Sequence, residues 1–337
     1  MTTATLALGG RQLGEGQPCL VVAHVGTAHE GVADAALRLI EAAFHSGADA
    51  IAFPVFRATD LLARRHPERK EMEAAELTAR EWRTVLEAAK ASGLAVVVEA
   101  FDAASRDLAL EAAVDAFQAH PTDVDHPELL RGLAASGRPL LVGAAGNEPR
   151  VREALDAAGG ASALVVWPPS APAPAEELRL GELGAMRERF RVPIGFLDPT
   201  DGGSAFALLV PALAAAHGAD FVEKRLTLDR SRKRRDWAAA LSPEDFYRMV
   251  ELLRQAERAR GDAEPRAPHA AAARGRSIVA ATLIARGEVL TAEMLSFKRT
   301  DERFERGLAP AEAHRVIGRR AARPIQADET IREDMLQ

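Results

Sequence analysis

The chain has 337 residues, enough for an α/β barrel of about 250 residues plus a small second module. Apolar residues make up 47% and charged residues 27%, and the formal net charge of −6 argues against bulk electrostatic binding to nucleic acid or to an anionic membrane. No apolar run reaches the roughly 18 residues that cross a bilayer, and the single Cys19 excludes an intrachain disulfide and a thiolate metal cluster.

In chain order, Leu6 to Gln17 carries Gly9-Gly10 and Gly14-Glu15-Gly16 and reads as a β-hairpin laid before the main domain. The start Met1-Thr2-Thr3-Ala4 shows no basic n-region followed by an apolar h-region, so a cytoplasmic protein is expected. Cys19 to Val25 is an apolar run of strand length. Similar runs follow at Ile51–Val55, Leu94–Val98, Ala116–Gln118, Pro139–Val142, Ala163–Val166, Pro193–Phe196 and Asp220–Val222, most of them separated by a helix-length segment. Eight alternating βα units fit a closed parallel barrel, although a doubly wound sheet alternates in a similar way. Gly47-Ala48-Asp49-Ala50, Ala113-Val114-Asp115-Ala116 and Gly218-Ala219-Asp220-Phe221 each lead from helix to strand, with an Asp able to bond the local backbone. The barrel is expected to end with the helix Pro243 to Arg260, introduced by the N-cap Ser242. Domains are therefore expected at 1–261 and 276–337, joined by a Pro- and Ala-rich linker at 262–275.

The last module reads Arg276-Ser277-Ile278-Val279-Ala280-Ala281, then Ile284-Ala285-Arg286-Gly287-Glu288-Val289-Leu290, and later Lys298-Arg299 and Val316-Ile317-Gly318-Arg319-Arg320-Ala321. It resembles the antifreeze-like (SAF) domain. Upstream, Val25-Gly26-Thr27-Ala28-His29-Glu30-Gly31, Gly47-Ala48-Asp49-Ala50 and Val222-Glu223-Lys224-Arg225-Leu226-Thr227-Leu228-Asp229-Arg230 resemble the barrel of the sialic acid (nonulosonate) synthases. The resemblance covers nearly the whole chain. It implies a (β/α)8 TIM barrel with an N-terminal hairpin and a C-terminal SAF domain. The implied reaction condenses phosphoenolpyruvate with an N-acyl-mannosamine-type sugar, aided by a divalent metal held by two histidines. It also implies a domain-swapped homodimer, in which Arg299 of one SAF domain reaches the sugar in the other chain's barrel.

Position by position, the implied site is substituted. Pro199 and Arg225 stand where the two metal histidines are expected, so no metal is expected there: proline offers no ligand and a permanent cation repels one. The later Asp-His pair reads Asp236-Trp237. At the phosphate site Ala52, Phe53 and Pro54 stand where Lys, Phe and Gln are expected, while Gln118 and His120 replace a lysine and a Gly-Ser region. His24 replaces a glutamate and Ala28 an asparagine; Val98-Glu99-Ala100 replaces Ser-Thr-Pro.

His24, Glu99, His120, Asp198 and Glu223 all fall at C-terminal strand ends, where a barrel gathers its functional groups. His24, Glu99, Asp198 and Glu223 are the catalytic candidates; Gln118, His120, Lys224, Arg225 and Arg299 are the ligand-binding ones. His24 with Glu99 could act as an acid–base pair, or the His and carboxylate groups could hold a relocated metal, although no cofactor is expected. Lys224 reads as a packing and charge-pairing residue. Arg230, Arg232, Lys233, Arg234 and Arg235 form either an oxyanion-recognising loop or a solvated basic loop or interface rim. The loops at Gly143–Asn147 and Asp201–Ser204 could offer backbone N–H groups to an anion. The expected function is a degenerate or repurposed family member that binds a sugar, an acidic metabolite or a protein partner in carbohydrate biosynthesis. The alternatives are an active synthase with a rearranged site and a structural subunit of an active paralogue.

Overall fold

The computed structural model describes residues 5–144, 148–159, 161–261, 275–300 and 307–337. They fall into two compact units, divided between Gly261 and Asp262; most of the expected linker, 262–274, lies outside the described residues.

The chain opens with a two-stranded antiparallel hairpin, β1 (Leu6–Leu8) and β2 (Arg11–Leu13), in which Leu6 faces Leu13. Gly9 and Gly10 turn it with φ of 56° and 81°, the left-handed pair that a two-residue hairpin loop requires. Then come β3 (Leu20–His24), α1 (Ala33–His45), β4 (Ala50–Val55), α2 (Ala58–Leu61), α3 (Arg69–Ala74), α4 (Ala79–Ala91), β5 (Ala95–Ala100), α5 (Ala103–Glu111) and β6 (Ala116–Ala119). The second half adds α6 (Pro127–Ala134), β7 (Leu140–Ala144), α7 (Glu148–Ala158), β8 (Ser162–Val166), α8 (Glu182–Phe190), β9 (Ile194–Asp198), α9 (Val210–Ala216), β10 (Phe221–Leu226), a short β11 (Ala240–Leu241) and α10 (Pro243–Arg260).

Strands β3 to β10 are parallel neighbours in sequence order, and β10 bonds both β9 and β3. That double pairing closes the sheet and decides for a barrel against a doubly wound sheet. Leu6, Leu8 and Leu13 of the hairpin pack with Leu20, Ala50, Ala95 and Phe221, the first residues of their strands, and so plug the N-terminal end. Phe221 fills the interior there because Gly195 has no side chain: a Cβ on Gly195 would lie 2.1 Å from the Phe221 ring.

The three helix-to-strand motifs do more than turn the chain. Gly47, Ala113 and Gly218 each take a left-handed conformation, with φ of 77°, 53° and 106°. The following Asp does not bond its local backbone as expected but accepts the N–H that opens a neighbouring strand. Asp49 takes Val21 N at 2.8 Å, Asp115 takes Val96 N at 2.7 Å and Asp220 takes Ile194 N at 2.8 Å. Each carboxylate is also paired with a helix cation, Arg254, Lys90 and Arg187 in turn. These charged staples set the register of three strand pairs.

Strand ends run further than the apolar runs suggest. β10 continues through Glu223, Lys224 and Arg225 to Leu226 because β3, β9 and β11 all pair with it. In the C-terminal unit β12 (Arg276–Ala280) and β13 (Leu295–Arg299) pair antiparallel, and isolated bridges such as Ile284 with Ile325 tie in the rest. Its core is Ile278, Ile284, Leu290, Val316, Ile325, Ile331 and Met335, all buried.

Candidate functional site

Period-two alternation selects which polar residues face the barrel interior. On β10, Phe221 packs inside with Val22, Val97 and Leu197, so Glu223 and Arg225 face inward too. By the same parity His24 follows Leu20 and Val22, Glu99 follows Ala95 and Val97, Gln118 and His120 follow Ala116, and Trp167 follows Ala163 and Val165. Strand register places Arg225 beside His24 and Glu99 beside Gln118.

Asp198 and Lys224 have the other parity and leave the mouth. Their neighbours Phe196, Val222 and Leu226 belong to the core between strands and helices. Both side chains are wholly buried and meet as an ion pair, Lys224 Nζ to Asp198 Oδ2 at 2.9 Å. Lys224 also donates to the Thr200 carbonyl at 2.9 Å, and Asp198 Oδ1 accepts Thr200 N at 2.8 Å. Burial lowers the Lys224 pKa, and the Asp198 carboxylate opposes that shift. Asp198 as a catalytic candidate and Lys224 as a ligand-binding one are therefore corrected: reaching a strand end is insufficient, because parity sends the side chain outward. The charge-pairing reading of Lys224 is the one the geometry supports.

The mouth holds a cavity of about 290 Å³ whose wall includes His24, Glu99, Phe101, His120, Trp167, Arg225 and Asp236. Gln118 and Glu223 are wholly buried beside it and bonded to each other, Gln118 Nε2 donating to Glu223 Oε2 at 3.1 Å. Burial raises Glu223 to about 7, against the bond from Gln118 and the Arg225 charge. Glu99 is raised further, to about 8, by burial above all, with Arg225 opposing and Glu223 adding to it. His24 is pushed well below its ordinary value by burial, Arg225 and His120. His120 falls to about 4 by burial and Arg225. Near pH 7 the strands therefore offer a protonated Glu99 and two neutral imidazoles.

Arg225 is held by Asp236, Nη1 to Oδ2 at 3.0 Å, under Gly26. A Cβ on Gly26 would sit 2.6 Å from Arg225 Nη1, so a glycine there makes room for the pair. The basic loop is not simply solvated. Arg232 and Arg234 reach Glu30 at 2.9 and 3.2 Å, Arg235 reaches Glu68 at 2.9 Å, and Arg230 reaches Asp201 at 3.2 Å. Arg230 and Lys233 lie over the Trp237 ring. The loop is thus clasped to the rim by its own charges. The Asp201–Ser204 loop spends its N–H groups internally, Gly202 on Ala238 O at 2.7 Å and Gly203 on Asp201 Oδ1 at 2.9 Å, so it is no anion nest. In the other Gly-rich loop, Ala145 to Asn147 lie outside the described residues.

Arg299 lies exposed at the end of β13, in the C-terminal unit. The sequence reading missed Trp167 and Phe56, both in the cavity wall, and the role of Asp236. The parity of Ala163, Val165 and Trp167 was the signal that could have found the tryptophan.

Residues 39–265 match the NeuB family, and residues 275–337 match the SAF domain. This chain belongs to the NeuB family. Among its relatives, the N,N'-diacetyllegionaminic acid synthase of Legionella pneumophila is 26% identical, over 94% of each chain. The N-acetylneuraminate-9-phosphate synthase of Homo sapiens is 24% identical, over 97% of this NeuB-family chain and 95% of that one. The sialic acid synthetase of Leptospira borgpetersenii, solved with citrate, superposes with a TM-score of 0.74 at 21% identity, covering 80% of this chain and 95% of that one. The spore coat polysaccharide biosynthesis protein SpsE of Bacillus subtilis gives 0.68 at 24%, covering 99% of both. At these identities the structures show a shared fold, the barrel with its C-terminal SAF domain.

The metal that the NeuB resemblance implies does not fit this donor set. Pro199 has no donor atom, Arg225 is a cation already paired with Asp236, and His24 Nδ1 accepts the Gly26 N–H at 3.2 Å. Among the described residues no group of three or more His, Cys, Asp or Glu side chains could hold an ion. Nor is any helix among them long and apolar enough to cross a membrane.

Proposed function

We propose that this NeuB-family chain is a repurposed member whose mouth binds a sugar or sugar acid without a divalent metal, and that it does not condense phosphoenolpyruvate with a sugar. The observation that carries the reading is the Arg225–Asp236 ion pair in the mouth wall, built from the position where a metal histidine was expected. A fixed guanidinium keeps a metal out by charge while still offering forked donors to an oxygen-rich ligand. The cavity of about 290 Å³ lies at the small end of ligand pockets, which run from about 300 to 1,000 Å³. Phe101, His120 and Trp167 supply faces on which a sugar ring packs. The test is phosphate release from phosphoenolpyruvate with N-acetylmannosamine, in manganese and in magnesium, with the metal content of unchelated protein measured in parallel. The expected outcome is no release and no stoichiometric metal. Metal-dependent release at enzymatic rates sinks the proposal.

A second reading keeps catalysis of another kind in the same mouth. Its support is Glu99, a carboxyl in the cavity wall that burial keeps protonated near neutral pH, the condition a general acid needs. A domain-swapped homodimer, with Arg299 completing the partner's mouth, stays part of the proposal, as does assembly with an active paralogue. Light scattering tests the homodimer, and a monomer at micromolar concentration would count against it; failure to co-purify with a synthase that keeps the metal histidines would count against the paralogue assembly.

A further inference from the structure

The wall of the mouth cavity has two chemically distinct sides. On one stand paired charges, Arg225 with Asp236 at 3.0 Å and Arg235 with Glu68 at 2.9 Å. The other is a run of rings at strand ends: by ring centres Phe101 lies 6.2 Å from His120, His120 4.7 Å from Trp167, and Trp167 6.4 Å from His24. Trp167 is the centre of that run. Around the barrel its strand β8 stands two places from β6 and three from β3, so the indole reaches across the mouth to meet both imidazoles. They stand nearly perpendicular to it, at 82° for His24 and 80° for His120. All three residues are fixed by backbone bonds. His24 Nδ1 accepts the Gly26 N–H at 3.2 Å, His120 Nδ1 accepts the Thr122 N–H at 3.2 Å, and the Trp167 amide donates to Ala144 O at 3.1 Å. Trp167 is half-buried while its Nε1 is fully buried, so it offers the cavity ring carbon and not its N–H donor.

Resting on the reading of the mouth as a metal-free sugar site, we propose that Trp167 determines its specificity and that the ligand is a closed pyranose ring, packed by its C–H face on the indole with its hydroxyl edge toward the charged side. A closed ring gathers its C–H bonds on a rigid face, and an aromatic π surface attracts their partial positive charge. An open-chain sugar presents no such face and loses more rotational freedom when bound. The cavity of about 290 Å³, at the small end of ligand pockets, suits one ring. A sugar carries a free aldehyde only in its open-chain form, so a mouth that selects the ring withholds the carbon that a condensing enzyme attacks.

The experiment is calorimetric titration of the full chain, in EDTA, with two pairs of probes. The neutral pair is methyl N-acetylmannosaminide, locked as a ring, and N-acetylmannosaminitol, locked open. The acidic pair is methyl glucuronide, a ring, and gluconate, an open chain. In the tighter-binding pair the ring should bind at least about tenfold more strongly than the open chain. W167A should lose about tenfold or more in ring affinity, the scale of stacking on an aromatic side chain, and leave the open chain unchanged. W167F should keep most of the ring affinity, and should lose most of the change in tryptophan emission that ring binding causes in the parent. An open chain bound as tightly as the ring, a parent-like ring affinity in W167A, or an undiminished emission change in W167F overturns the Trp167 proposal and leaves metal-free sugar binding standing. No binding of any of the four probes overturns both.

Discussion

Replacing Lys224 by methionine tests the parity argument most directly. The ammonium group has three acceptors within the barrel wall: Asp198 Oδ2 at 2.9 Å, the Thr200 carbonyl at 2.9 Å and the Asp198 carbonyl at 3.5 Å. Neither side chain of the ion pair meets solvent. Methionine keeps the apolar stem but strips the counter-charge from Asp198, whose Oδ1 is already committed to Thr200 N. Removing one partner of a buried pair costs about 3–5 kcal/mol, because the other charge is left stranded. Asp198→Leu alone should cost a similar amount, and the double variant far less than the sum, since replacing both charges by apolar groups is often near neutral. Urea unfolding followed by tryptophan fluorescence reads this, because Trp82, Trp167 and Trp237 all lie in the barrel unit. A loss below about 1 kcal/mol in K224M, or strict additivity in the double variant, would refute the buried pair. Folded K224M should bind the locked-ring probes as the parent does, since Lys224 is not in the cavity wall; a tenfold loss would return it to the ligand site.

Two further predictions concern pH and packing. Glu99 and Glu223 have folded pKa values raised above the unfolded carboxylate range, so they stabilise the fold below about pH 4.5 and that stability is lost as pH rises through about 7 and 8. His29 and His120 are lowered to about 4, so their contribution is present above about 6.5 and lost as pH falls toward 4. Urea midpoints should therefore decline from pH 6.5 to 8.5 in the parent and stay level in E99Q/E223Q; the same decline in both proteins would contradict the assignment. Gly195→Ala drives a methyl into the Phe221 ring and should cost about 1–3 kcal/mol, partly recovered in G195A/F221L. An unchanged midpoint in G195A would show that Phe221 does not fill that space.

The alternation of apolar runs and helical segments made the βα repeat legible, because every barrel strand is buried on both faces and so is apolar over most of its length. Closure was not legible from pattern alone, because it depends on β10 pairing with β3 across some 200 residues of chain. The three Asp motifs were visible as an echo, but their bonds run to strands other than those they open, and spacing carries no information on that. For the site, the strand ends were found and the facing was not. Asp198 looked equivalent to Glu99 until the register set one outward and the other inward. Trp167 was overlooked because it follows an apolar strand and resembles one more core residue. The clasp on the basic loop depends on Glu30 and Glu68, which are remote from it in sequence.

The tripeptide Glu223-Lys224-Arg225 shows how one strand end serves two structures. Lys224 points out and, with Asp198, holds β9 to β10 within the wall; Glu223 and Arg225 point in. Substitution at the inward positions would leave the outward pair, and with it the β9–β10 joint, untouched. Arg225 sits in a frame that the family resemblance already supplies, Gly26 in the stretch Val25 to Gly31 and Asp236 at the Asp of the Asp-His pair. A guanidinium in this place needs a counter-ion and room, and it has both: Asp236 at 3.0 Å, and a glycine at position 26, where any Cβ would strike Arg225 Nη1. Asp236 in turn adopts a left-handed φ of 62°, a conformation uncommon for a residue with a side chain. Here the cation, its carboxylate and the space above them fit one another, and the rings of His24, His120 and Trp167 surround the same cavity. Because Gly26 and Asp236 belong to the pattern shared with the family, that fit needs only the one substitution at position 225.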